Sequence, residues 1–221
     1  MIPLSVKISN RVTKESKIFE VKVLNHIFFT PRLCGIAIYN FLDSQEATID
    51  ENTTYFNSKI FLNGVKEPVS WSEVYTHPYI IAGNFIEPMG YLVKNPFEFP
   101  KIRKMEVEIE VERSYKAAQI SSIILSSSEV QPGDTLNIAV SISPQYRNEE
   151  TLNLKVEIPD NLAEGQYFLT ALPGNILKPP TFEATNSKQY IELAKVANKY
   201  KSNTLRSEEH TSELQSPNTI S

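Results

Sequence analysis

Few residues of this sequence have the types and spacing that chemistry at a protein site requires. The most regular candidates are four glutamates that alternate with apolar residues, namely Glu106, Glu108, Glu110 and Glu112. Alternate positions of a β-strand share one face, so these carboxylates could bind a cation or a basic partner. Like charges on one face repel, however, and calcium sites usually take their oxygen ligands from tightly spaced loops. We therefore interpret the glutamates as the solvent-facing side of a strand, opposed by Lys101, Arg103 and Lys104 or by neighbouring strands.

A group of aromatic residues is the second candidate. Trp71, Tyr75, Tyr79 and Phe85 lie close together in sequence, and they could line a surface patch that binds a ligand. Packing of these rings onto a sheet is the simpler interpretation, because large aromatic side chains contribute much of a protein core. The sequence leaves both interpretations open, and it offers no other candidate binding residues.

The other reactive residues lack the partners that catalysis or metal binding requires. His26, His77 and His210 are far apart in sequence and share no metal-ligand spacing, and we expect each to be structural. Cys34 is the only cysteine and has apolar neighbours, which predicts a buried, unreactive thiol. The run 126–128 of serines has no base beside it, and no phosphate-binding loop or nucleophile elbow is present. We predict no catalytic, cofactor-binding or metal-binding residue and no cofactor.

Composition excludes several classes of protein. The 221 residues are 41% hydrophobic and 10% aromatic, which is typical of a folded protein and not of a disordered one. The net charge of -4, with basic residues scattered singly, argues against binding of nucleic acid. No run of apolar residues approaches the ~20 that span a membrane, and no signal-peptide pattern follows Met1.

The first hundred residues alternate between strand and helix patterns, which predicts a mixed β/α module over 1–100. Alternating apolar residues indicate an opening β-hairpin. Thr30 as N-cap and Pro31 at the first helical position then predict the start of a short buried helix that ends near Asp43. Its apolar positions are Leu33, Ile36, Ile38 and Phe41. Residues 46–63 read as strand, and 79–95 as a helix broken at Gly83, Pro88 and Gly90.

The pattern from residue 101 onward consists of short strands with one apolar face, separated by turn signals such as Pro132-Gly133-Asp134. This pattern predicts an immunoglobulin-like antiparallel β-sandwich over 101–173. A proline-containing linker over 174–185 and a helical segment over 186–205 follow. The fold class is therefore mainly β.

Three groups of segments carry a family resemblance through their order and spacing. They are 1–8 with 19–23 and 29–33, 95–102 with 111–113, and 128–138 with 158–167. Together they resemble the region downstream of the peptidase domain in large bacterial proteins of the SpoIVB serine peptidase type. The resemblance covers about 1–205 and implies that Met1 is an internal methionine, with the peptidase domain upstream. The nucleophilic serine of that family lies in a Ser-Gly-Ser-Pro-like loop that no segment here matches, so no catalytic position is carried over.

The final residues resemble something different. Segment 206–216, Arg-Ser-Glu-Glu-His-Thr-Ser-Glu-Leu-Gln-Ser, is similar to the in-frame translation of a common sequencing adapter. We therefore expect 206–221 to be a non-native, disordered tail, and the helical segment before it to be truncated. His210 is then no functional candidate.

The residues and the resemblance lead to one expected function and two alternatives. We expect a non-catalytic accessory region of a larger peptidase-like bacterial protein, which positions the upstream peptidase domain of the same parent chain or binds another protein. The parent would be exported or associated with the cell envelope, and the location of this chain stays open. A stand-alone β-sandwich module that binds glycan or protein is the first alternative. An enzyme in its own right is the second, and it would need polar residues that converge in a pocket.

Overall fold

The computed structural model describes residues 1–45, 52–76, 79–173, 183–197, 205–209 and 218–219. The chain divides into two compact units. The first unit comprises 1–115 and 178–201, and the second comprises 116–177 and 202–221. The two units thus alternate along the sequence, and residues 116–177 of the second lie between the two parts of the first. Strands predominate over helices, which confirms a mainly β fold.

The first unit is a mixed sheet with helices. Its elements are β1 (Ile2–Asn10), β2 (Ser16–Val23), α1 (Phe29–Asp43), β3 (Thr53–Leu62), β4 (Val69–Tyr75), α2 (Tyr79–Val93), β5 (Ile102–Glu112) and α3 (Ser187–Ala197). The strand order is β2-β1-β5-β3-β4. The central strand β5 runs parallel to β1 and antiparallel to β3.

The core of the first unit lies on one face of this sheet. Strict alternation along β5 buries Met105, Val107 and Ile109 on the face that α1 and α2 cover, at 1% exposure or less. Helix α3 adds Ile191 and Ala194 to the same core. The glutamates of β5 lie on the opposite face.

Helix α2 is continuous from Tyr79 to Val93, so the predicted break at Gly83, Pro88 and Gly90 is wrong. The buried residues among its described side chains are Ile81, Phe85, Met89, Leu92 and Val93, and the first four recur at helical spacing. Burial of a large apolar side chain contributes about 1.5–3 kcal/mol. Four such residues outweigh a proline cost on the order of 3 kcal/mol.

The second unit contains an antiparallel sheet of β6 (Ala118–Leu125), β7 (Thr135–Pro144) and β8 (Glu150–Glu157), in the order β6-β7-β8. A register shift between Ile120 and Ser122 keeps Ile120 and Ile123 against the same apolar face. Strand β9 (Leu169–Pro173) packs Leu169 and Ala171 on that face. This sheet and β9 do not confirm an immunoglobulin-like sandwich, which needs two sheets with seven strands in all.

Two predicted boundaries differ from the structure. The division between units falls after Tyr115 and not at residue 100, because β5 pairs with β1 and β3 at the centre of the first sheet. The segment 186–205, predicted as a separate helical part, contributes α3 to the first unit. There Asn95 Nδ2 donates to Ser187 Oγ at 2.9 Å, and the Tyr91 and Tyr190 rings stack at 4.7 Å.

Only 206–209 and 218–219 of the segment 206–221, which is predicted to be disordered, are among the described residues, and the rest of that prediction lies outside them. Leu205–Glu209 forms β10, antiparallel to β9, and Asn218–Thr219 forms β11 against β10. An open strand edge presents unpaired N–H and C=O groups that pair with any extended segment, whatever its side chains. The pairing therefore carries no information about the origin of these residues.

Candidate functional site

Large apolar side chains between the end of β2 and the middle of α1 are exposed to solvent. Their exposed fractions lie between 37% and 63%, and the residues are Leu24, Ile27, Phe28, Phe29, Leu33 and Ile36. We name this set the α1 apolar surface. Isolated exposed apolar residues are ordinary, whereas contiguous patches of several hundred Å² mark interaction sites.

The helical part of this surface follows from the spacing of its residues. Phe29, Leu33 and Ile36 are at positions i, i+4 and i+7, so they share one face of α1. The opposite face buries Ile38 and Leu42, both at 0% exposure. Helix α1 is therefore apolar on two sides, and only one of them is covered by the unit. The prediction that Leu33 and Ile36 are buried is wrong.

The segment that enters α1 is held by a network of hydrogen bonds. The helix begins at Phe29, so Thr30 is not the predicted N-cap. Its hydroxyl instead donates to the Leu24 carbonyl at 2.6 Å and accepts from the His26 N–H at 2.7 Å. These two bonds fix the course of the backbone from Leu24 to the helix. The exposed apolar side chains are therefore presented from an ordered segment.

His26 orients the aromatic part of the surface. Its Nδ1 accepts a hydrogen bond from the Phe28 N–H at 3.2 Å. Its ring lies 4.9 Å from the Phe29 ring and 5.9 Å from the Phe28 ring. These contacts give His26 a structural position beneath two exposed phenylalanines.

The four glutamates of β5 occupy the polar face of the first sheet, as predicted. Lys104 pairs with Glu106, which confirms one of the three predicted cations. Arg11 lies 3.9 Å from Glu110 and 3.8 Å from Glu112. Its guanidinium also sits 3.6 Å from the Tyr55 ring centroid. Three of the four carboxylates, those of Glu106, Glu110 and Glu112, thus lie beside basic residues. Sequence reasoning missed Arg11 because it precedes β5 by about a hundred residues.

Two described members of the candidate aromatic patch, Trp71 and Tyr75, pack against the first unit. Tyr75 is 6% exposed and meets the Phe56 ring edge-on at 6.3 Å. Trp71 is partly buried and packs against the core of the first unit. The side chain of Tyr79 lies outside the described residues. Trp71 and Tyr75 therefore contribute to core packing, which is the simpler of the two interpretations.

Cys34 has the buried environment that its neighbours predict. It is 0% exposed, with its Sγ 3.9 Å from Met105 Sδ, and burial raises the pKa of its thiol to about 12. His77 and His210 lie outside the described residues. Within the described ranges, no three His, Cys, Asp or Glu residues are grouped to hold a metal ion. Over the same ranges, every helix is too short or too polar to cross a bilayer.

Comparison with known proteins gives no relative, since no family model, curated protein or solved structure matches the chain. The choice of a site therefore depends on exposure, spacing and chemistry alone. By those criteria the α1 apolar surface is the strongest candidate in the first unit. Its chemistry is that of a docking surface, because it presents rings and aliphatic chains without a reactive group.

Proposed function

We propose that this chain is a non-catalytic accessory region of a larger bacterial protein of the SpoIVB peptidase type, and that the α1 apolar surface binds the peptidase domain of that parent protein. The sequence resemblance over about 1–205 supports the family. The observation that carries the proposal is the exposure of Phe28, Phe29 and Ile36, at 63%, 50% and 57%.

The area of the surface suits a folded domain as the partner. Taking a full side-chain area of about 150–200 Å², the six residues expose roughly 500 Å² of apolar surface. A stable interface buries about 800 Å² on each partner, with an apolar centre and a polar rim. The α1 apolar surface therefore has the size of the apolar centre of such an interface.

Charge favours a protein partner over an anionic membrane. Arg32 is the only lysine or arginine among positions 24–36, and the chain carries a net charge of -4. Proteins that attach to anionic lipid headgroups through an exposed apolar patch usually add a cluster of lysines or arginines. Such a cluster is missing from the sequence of this segment.

The test measures binding to a separately produced peptidase domain of the SpoIVB type by isothermal titration calorimetry. Phe28→Asp and Ile36→Asp place a charge in the proposed interface, and each should weaken binding by about 30-fold or more, as at interface hot spots. Val12→Asp is the matched control, because Val12 is 76% exposed and lies in the turn after β1. It should leave the affinity unchanged.

Two results would overturn the proposal. One is the absence of a complex at protein concentrations near 100 μM. The other is a complex that all three variants form as well as the unmodified chain. Sedimentation with anionic vesicles, lost in Phe28→Asp and kept in Val12→Asp, would assign the surface to a membrane instead.

A further inference from the structure

The second unit contains an open cleft with a volume of about 760 Å³. It lies where the ends of β6, β7 and β8 meet the segments 127–132 and 162–169. Small-ligand sites commonly have volumes of about 300–1,000 Å³. The cleft therefore has room for a short run of side chains.

The floor of this cleft is the core of the second unit. Leu136, Val156 and Ile158 line it and are 6%, 3% and 7% exposed. Leu125 and Val130 also line it, and each keeps 39% of its surface exposed. An apolar side chain in the cleft would thus exchange water for aliphatic contacts on several sides.

The rim of the cleft is acidic. Glu129 and Glu164 line it, and the described lining residues include no lysine, arginine or histidine. Two other polar groups there are already engaged. The Tyr167 hydroxyl donates to the Ala163 carbonyl at 2.7 Å, and the Ser127 hydroxyl donates to the Glu129 carbonyl at 2.5 Å. The two carboxylates are therefore the charged groups with which a ligand would pair.

We propose that this cleft binds a short apolar segment of a partner polypeptide that carries lysine or arginine beside its apolar residues. The apolar floor accepts the aliphatic side chains, and the acidic rim pairs with the cations. Lysine and arginine suit such a boundary, because their methylene stems pack on apolar surface while the charged ends reach the rim. The proposal is independent of the function assigned to the α1 apolar surface, since its residues all belong to the second unit.

The test uses two probe peptides with the same apolar centre, acetyl-Lys-Leu-Val-Leu-Lys-amide and acetyl-Glu-Leu-Val-Leu-Glu-amide. Their binding to the full chain is followed by methyl-group NMR. The lysine peptide should shift the methyl signals of Leu136, Val156 and Ile158, and it should bind about tenfold more tightly than the glutamate peptide at low salt.

Charge reversal at the rim separates site binding from general attraction to an acidic protein. The double variant Glu129→Lys with Glu164→Lys should reverse the preference between the two peptides. The matched control, Glu149→Lys with Glu150→Lys, changes the net charge equally at exposed residues that do not line the cleft. It should keep the preference for the lysine peptide.

Several outcomes would refute the proposal. They are failure of the lysine peptide to bind at millimolar concentration, equal affinity for both peptides, and equal effects of the two double variants. Binding of dodecylamine at the same methyl groups, without binding of the lysine peptide, would identify a site for small cationic amphiphiles and overturn the polypeptide assignment.

Discussion

The turn before β7 places Gly133 in a backbone conformation that other residues rarely adopt. In the turn Gln131–Asp134, the Asp134 N–H donates to the Gln131 carbonyl at 3.1 Å, and Gly133 has φ of +84°. Proline followed by glycine at the two central positions is typical of a type II turn, which requires positive φ at the second. The substitution Gly133→Ala forces a side chain into that conformation.

The expected cost of Gly133→Ala comes mainly from the backbone. A non-glycine residue in the left-handed region costs about 1–2 kcal/mol. The added Cβ would lie 2.9 Å from Asp160 Oδ1. Asp160 is exposed, so its carboxylate can rotate away and adds little to the cost. We expect a loss of about 1–2 kcal/mol in the free energy of unfolding of the second unit.

Gly64→Ala is the matched control, because Gly64 has φ of +76° and an added Cβ would have no neighbour within 4 Å. It should cost the first unit a similar amount. Fluorescence of Trp71, the only tryptophan, reports unfolding of the first unit. Hydrogen exchange of the Ile158 amide, which bonds to the Asp134 carbonyl at 2.8 Å, reports on the second.

The variants of this turn should differ from one another in stability. Gly133→Asn should recover part of the loss, since asparagine tolerates positive φ better than alanine. A cost below about 0.5 kcal/mol for Gly133→Ala would show that the turn does not need positive φ. A cost well above that of Gly64→Ala, relieved by Asp160→Ala, would show that the carboxylate is held in place.

Three further predictions concern single side chains. Burial raises the pKa of the Cys34 thiol to about 12. The thiol should therefore resist alkylation at pH 8 in the folded chain and react once the chain is unfolded in urea. Rapid alkylation of the folded chain would refute its burial. Thr30→Val removes the hydroxyl that bonds two backbone groups and should lower the free energy of unfolding by about 1–3 kcal/mol, measured by urea denaturation. Burial is the larger cause, and the neighbouring Tyr91 the smaller, that raises the pKa of Tyr190 above its ordinary value. The stability that the neutral phenol contributes is therefore complete below pH 10 and is lost as the pH rises through the raised pKa. Tyr190→Phe should remove this alkaline loss of stability, measured as the free energy of unfolding in urea at a series of pH values.

Local patterns in the sequence predicted where strands and turns lie better than they predicted which strands pair. Alternation along β5, β7 and β8 and the turn at Gly133 depend on neighbouring residues, and the structure contains all of them. The position of β5 at the centre of the first sheet depends on pairing with β1, about a hundred residues earlier. Alternation of side chains does not specify which strand lies alongside.

The candidate surface could be predicted only in part, for a related reason. Apolar residues at Leu33, Ile36 and Ile38 indicated a helix, and α1 ends at Asp43 as expected. A helix that is apolar on two sides gives no local signal of which side the rest of the protein covers. Exposure of Leu33 and Ile36 follows from the position of α1 over the sheet, which is a tertiary property.

Residues 116–177 of the second unit lie between β5 and α3, and this has a consequence for synthesis on the ribosome. All five strands of the first sheet have been made once Glu112 is added, but Ile191 of α3 belongs to the same core. At 5–20 residues per second, the roughly 80 intervening residues take about 4–16 s to translate. During that interval the nascent first unit holds an uncovered apolar site beside α2 and β4. The time needed to translate the residues between β5 and α3 sets when α3 can close this site.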